Sequence, residues 1–143
     1  MKSLLASAVL CLLTSTSHAS SYVSCGTGEP NEELSYGENQ ELQISSGDDT
    51  YEGQVDGSWA LKLKTQADWM KATPNVTAKT TQNAEGATVI TVRIIQAKGM
   101  GPVGVQYVLT DIYSDTPTLE KFAIGGFAGG SKVGTYNCVS AID

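Results

Sequence analysis

Basic side chains are scarce in this chain. Nine Lys and Arg stand against 15 Asp and Glu in 143 residues, a formal net charge of −6. Binding nucleic acid needs clustered cations that displace phosphate counterions, so this balance argues against a nucleic-acid partner. Histidine is scarcer still, since His18 is the only one. No stretch approaches the roughly 20 consecutive apolar residues of a membrane-spanning helix. No window keeps an amphipathic helical period over about ten residues. Disorder is excluded from the other side: 41% of the residues are hydrophobic, enough to bury a core. The length suits one domain and is short for two.

What is present begins with an export signal. Lys2 precedes an apolar run from Leu4 to Leu13, followed by polar residues with small Ser17 and Ala19 at its end. That order predicts a cleaved signal peptide over residues 1–19 and one domain over residues 20–143, secreted or periplasmic. Cys11 does not make it a lipoprotein signal, because Leu10 stands where a small residue is expected. Cleavage leaves 124 residues with eight Lys and Arg against 15 acids, a net charge of −7. Lys2, Cys11 and His18 leave with the signal.

Two cysteines then remain, Cys25 and Cys138, near the two ends of the domain. In an oxidising compartment they are expected to form a disulfide rather than stay as thiols. Their spacing excludes a CxxC redox site. The bridge also requires the first and last strands to lie side by side or across a thin core.

Between them the chain reads as strands divided by turns. Residues 58–64 alternate, with Trp59, Leu61 and Leu63 on the inward side; residues 51–55 alternate as well, with Tyr51 and Val55 inward. Asp56-Gly57 joins them as a hairpin, a dipeptide that tolerates positive φ. Residues 75–81 and 87–97 form a second hairpin through Asn83-Ala84-Glu85-Gly86, and the β-branched Val89–Ile95 region suits a strand inside a sheet. Strands are also expected at residues 22–25, 40–45, 105–113, 118–124 and 133–139, with one helical turn over residues 65–73. The prediction is an all-β domain, a single antiparallel β-sandwich or small β-barrel of about eight strands closed by the disulfide.

The inventory for chemistry is thin. Without histidine there is no Ser-His-Asp or Cys-His arrangement and no imidazole metal ligand, so no enzyme, cofactor or metal is expected. The acids are the distinctive group: nine of them, and no Lys or Arg, fall in residues 29–56. Asp48, Asp49, Glu52 and Asp56 are the candidate patch for a basic protein partner. A solvated surface is the plainer reading, and calcium at Asp48 and Asp49 lacks the EF-hand spacing. Trp69 and Phe127 are candidate exposed aromatic anchors, with a core plug as the alternative for Trp69 and folding back onto the core for Phe127. The Gly125–Gly130 run reads as loop geometry, since no helix follows that would make it a phosphate cradle.

Ser46-Gly47-Asp48-Asp49-Thr50-Tyr51, followed by Trp59, resembles the membrane-associated C-type lysozyme inhibitors of Gram-negative periplasms. Those small disulfide-bearing β-barrels carry Ser-Gly-x-x-Tyr and Trp-x-Lys-Gly. Here the tyrosine stands one position later and Ala60-Leu61 follow the tryptophan, so no site residue carries over. Lipocalins are a second comparison, but their N-terminal Gly-x-Trp is absent. The expectation is a non-catalytic binding or structural protein of the cell envelope. An inhibitor of a basic enzyme and a small-ligand carrier are the alternatives.

Overall fold

A computed structural model describes residues 22–63, 73–98, 101–125 and 129–141. The signal segment, residues 65–72 of the expected helical turn, Trp69 and Phe127 lie outside the described residues. Among the described residues, eleven strands make two antiparallel sheets. The first sheet holds β1 (Tyr22–Gly26), β2 (Glu32–Tyr36), β3 (Glu41–Ser46), β4 (Asp49–Gln54), β5 (Trp59–Lys62) and β11 (Val139–Ala141), in the order β11-β1-β2-β3-β4-β5. The second holds β6 (Asn75–Gln82), β7 (Thr88–Lys98), β8 (Gly101–Thr110), β9 (Thr118–Ile124) and β10 (Lys132–Asn137), in the order β10-β9-β8-β7-β6. Every pairing within a sheet other than β1 with β11 joins neighbours in sequence, which keeps loop-closure costs low.

The alternation read from sequence is realised along these strands. In the first sheet Cys25, Leu34, Ile44, Tyr51 and Leu61 stand opposite one another in register and face inward. Ser35, Gln43, Glu52 and Ala60 alternate with them on the outer side. In the second sheet Ala78, Val92, Tyr107 and Lys121 form one inward row, and Ile90, Leu109, Leu119 and Tyr136 the next. Inward residues of both sheets join one buried cluster, in which Cys25, Ile44, Ile90, Val92, Leu109 and Leu119 are completely buried. β7 is an interior strand, as its β-branched content predicts.

The Asp56-Gly57 hairpin forms as expected. Asp56 takes φ 58°, and Gly57 N donates to Gln54 O at 3.0 Å. Trp59 is half-buried rather than central. Its ring lies on Gly53, its partner in register, where a Cβ would stand 2.4 Å from the indole.

Two strands were not separable in the sequence pattern, which is why eleven replace the nine segments read there. β2 is Glu-Glu-Leu-Ser-Tyr, and its inward-facing Glu32 hides the apolar alternation. The expected strand at residues 133–139 is divided at Cys138. Before it, β10 pairs with β9; after it, β11 pairs with β1. The chain thus passes from one sheet to the other at the cysteine, which is bonded to Cys25 with the two Cα atoms 4.4 Å apart. The terminal strands lie side by side, Val23 opposite Ser140. At the opposite edge the sheets also touch, where Asp56 N donates to Ala78 O at 2.9 Å.

Candidate functional site

The outer side of the first sheet carries the exposed acids. Strand parity turns Glu33, Glu41, Gln43, Glu52 and Gln54 outward, because Leu34, Leu42, Ile44 and Tyr51 occupy the inward positions between them. Glu41 lies opposite Gln54, and Glu52 opposite Gln43. The two glutamates are therefore diagonal neighbours, about 7–8 Å apart between backbones. A shallow hollow of about 570 Å³ opens here, lined by Ser35, Glu41, Gln43, Glu52, Gln54 and Ser58 among others. A second of about 350 Å³, lined by Asn31, Glu33, Ser45, Asp48 and Thr50 among others, continues the same face. Lys62, opposite Thr50 on the edge strand, stands at its margin. Among the described residues, Glu33, Glu41, Asp48 and Glu52 make no ion pair; Glu33 accepts a 2.6 Å hydrogen bond from Ser24 Oγ.

The four candidate patch residues are not brought together. Asp48 is exposed at the β3–β4 turn, and Glu52 is exposed in the middle of the outer face. Asp56 is exposed at the far end of β4, some eight residues and roughly 26 Å from Asp48. Asp49 turns inward and is only 8% exposed. Adjacent Asp48 and Asp49 thus sit in opposite environments. Among the described residues no group of three or more His, Cys, Asp or Glu is placed to hold a metal ion.

A second cluster lies between the sheets and has no counterpart in the sequence reading. Glu32 reaches inward at the end of β2 with its side chain 7% exposed. Lys121 Nζ donates to its two oxygens at 2.9 and 2.7 Å, Thr27 Oγ1 donates at 2.5 Å and Tyr107 Oη at 2.5 Å. Burial opposes the charge on Glu32, but the hydrogen bonds from Lys121, Thr27 and Tyr107 and the ammonium charge outweigh it and hold the carboxyl below its ordinary value. Burial and the neighbouring Glu32 carboxylate push the Tyr107 phenol far up. Tyr51 is raised by burial and by Asp49, and Tyr36 is pushed up to about 12 by burial and its hydrogen bond with Tyr113. An ionised carboxylate that accepts four hydrogen bonds from three side chains holds two sheets together; it has no free lone pair for proton transfer.

These partners are 75 and 89 positions apart, which is why composition did not reveal them. One local signal existed: Glu32 shares its parity with Leu34 and Tyr36, and Lys121 shares its parity with Leu119. A charge at an inward-parity position calls for a buried partner.

The outer side of the second sheet differs from that of the first. Ile95, Val108, Phe122 and Ile124 face outward there and are half-buried, with Lys79 and Arg93 exposed beside them. Lys132 pairs with Glu120 at 2.7 Å. Comparison of this chain with protein families, with curated proteins and with solved structures finds no match in any of the three.

Proposed function

We propose that this protein is an exported, non-catalytic binding module that engages a basic protein partner through the outer face of its first sheet. The observation that carries the reading is the set of exposed carboxylates, Glu33, Glu41 and Glu52, around open hollows with no ion pair among the described residues. Such a face attracts cationic surfaces and accelerates their encounter. The Cys25–Cys138 bridge fits an oxidising, extracytoplasmic compartment and supports the export reading. We read the two sheets as the layers of a sandwich, on the buried cluster they share and on their contacts at both edges.

Inhibition of a basic enzyme is the narrower form of this function. A small-ligand carrier is less well supported, because large side chains such as Tyr107, Leu34 and Ile44 fill the space between the sheets. The test is binding to a basic C-type lysozyme and to partners captured from the exported fraction, measured across a salt series. Binding should weaken steeply with salt and fall at least tenfold in the Glu33→Gln, Glu41→Gln, Glu52→Gln variant. A captured partner indifferent to both salt and the substitutions would refute the assignment.

A further inference from the structure

The two outer faces of this molecule are complementary to each other. On the first sheet, Glu41 and Glu52 are diagonal cross-strand neighbours. On the second, Lys79 lies opposite Thr91 and Arg93 opposite Thr77, so Lys79 and Arg93 are diagonal neighbours too. Both pairs therefore carry two like charges at about the same spacing, 7–8 Å between backbones. Neither pair has an ion pair within the chain among the described residues.

Arg93 continues into a row that crosses the sheet through Gln106 and Phe122 to Lys132. Ile95 and Ile124 lie on one side of that row, and Val108, with Thr91 and Glu120 opposite it, on the other, so the cations stand among half-buried apolar side chains. The outer side of an antiparallel sheet is ordinarily polar, as it is on the first sheet. Lys132 is paired with Glu120 on this face, whereas Lys79 and Arg93 make no ion pair among the described residues; exposed cations beside apolar side chains suit a docking surface.

We propose that the outer face of the second sheet docks on the acidic outer face of the first sheet of another copy of this chain, Lys79 and Arg93 meeting Glu41 and Glu52. This rests on reading the acidic face as a docking surface and names its partner. Packing the second sheet's face on itself would oppose like charges, so the contact is head-to-tail. Contacts of that kind leave a free face on each end of a pair, so they add further copies in a chain or a ring. Five strands about 4.8 Å apart and about seven residues long present roughly 600 Å² per partner, at the small end of specific interfaces. The association is accordingly weak, concentration-dependent and salt-sensitive.

The test uses the purified exported protein in sedimentation experiments at concentrations on the order of 0.1–1 mM. The average mass should rise with concentration and return to the monomer in about 0.5 M salt. Lys79→Glu with Arg93→Glu should be monomeric, and so should Glu41→Lys with Glu52→Lys. Mixed in equal amounts, these two variants should associate again, since the native faces they retain meet and the two reversed faces are complementary in charge as well. The same mixture distinguishes head-to-tail docking from symmetric pairing, which would not reappear in this way. A wild-type protein that stays monomeric throughout, or assembly unchanged in either variant, overturns the proposal. If the monomer still binds basic proteins through Glu41 and Glu52, self-association alone fails and the proposed function stands. Binding to phosphatidylglycerol vesicles that is lost with Lys79→Glu and Arg93→Glu, without self-association, would also overturn it and assign the face to a membrane.

Discussion

Replacing Glu32 by alanine should cost the fold about 3 kcal/mol. The carboxylate accepts from Lys121, Thr27 and Tyr107, and its side chain is 7% exposed against 19% for Lys121. Removing one partner of a buried pair typically costs about 3–5 kcal/mol, because the other charge is left without compensation. The partly exposed ammonium of Lys121 can still reach water, which places this case at the low end. Tyr107 cannot, being 2% exposed, so its hydroxyl adds an unsatisfied donor. For a chain of this size the loss corresponds to roughly 10 °C in Tm. Urea unfolding followed by tryptophan fluorescence would measure it. Glu32→Leu with Lys121→Met and Tyr107→Phe replaces every member of the cluster except Thr27 by apolar groups and should recover most of the loss. A penalty below about 1 kcal/mol for Glu32→Ala would refute the reasoning. So would a triple variant as unstable as the single one, since the cost would then come from packing and not from stranded polar groups. The pH dependence has a definite sign. Glu32 titrates below its ordinary value of 4.5 when folded, so its contribution is complete above that value and is lost as pH falls through the lower, folded one. The acid limb of the stability curve should therefore be shallower in Glu32→Gln than in the wild type.

Other consequences can be checked in the same preparations. Native protein should show no free thiol at Cys25 or Cys138 on alkylation and intact-mass measurement, and reduction should remove about 2–5 kcal/mol of stability. Gly104→Ala should destabilise by several kcal/mol, because its Cβ would fall within van der Waals overlap of the Ile94 carbonyl on the neighbouring strand. Gly26→Ala, with nothing within 4 Å, should be nearly neutral by the same unfolding assay. Ultraviolet titration of the six tyrosines should separate Tyr36 and Tyr107 from exposed phenols. Because these two are raised, their contribution is intact below pH 10 and lost as pH climbs through the folded values, so their ionisation should coincide with alkaline unfolding.

Much of the architecture was legible because a strand has a period of two. That period placed Tyr51, Val55, Trp59, Leu61 and Leu63 on inward positions; the first two are buried and the other three pack half-buried against the core. Turn chemistry was legible for the same local reason: Asp56 takes the positive φ its dipeptide allows, and Asn83 Oδ1 accepts from Glu85 N and Ala87 N in the next hairpin. The disulfide followed from a count of cysteines and the compartment. Where a local rule was broken, the reading failed. Glu32 interrupts the apolar alternation of β2, and the turn at Cys138 divides an otherwise continuous strand between two sheets. The candidate patch failed in part for a related reason. Nearness in sequence gathered Asp48, Asp49 and Asp56, whereas parity and strand length separate them.

By itself, then, the sequence determined what depends on neighbours along the chain: strands, turns, the inward side of each strand and the surplus of acid in residues 29–56. Only the tertiary structure decided what depends on register between strands and on contacts between the two sheets. It set Glu32 against Tyr107 and Lys121, turned Asp49 inward, and assembled Glu41 and Glu52 on the outer face of the first sheet and Lys79 and Arg93 on that of the second. The physical reason is that such contacts join residues tens of positions apart. Their partners are selected by the collective fit of the whole core, which no local pattern encodes.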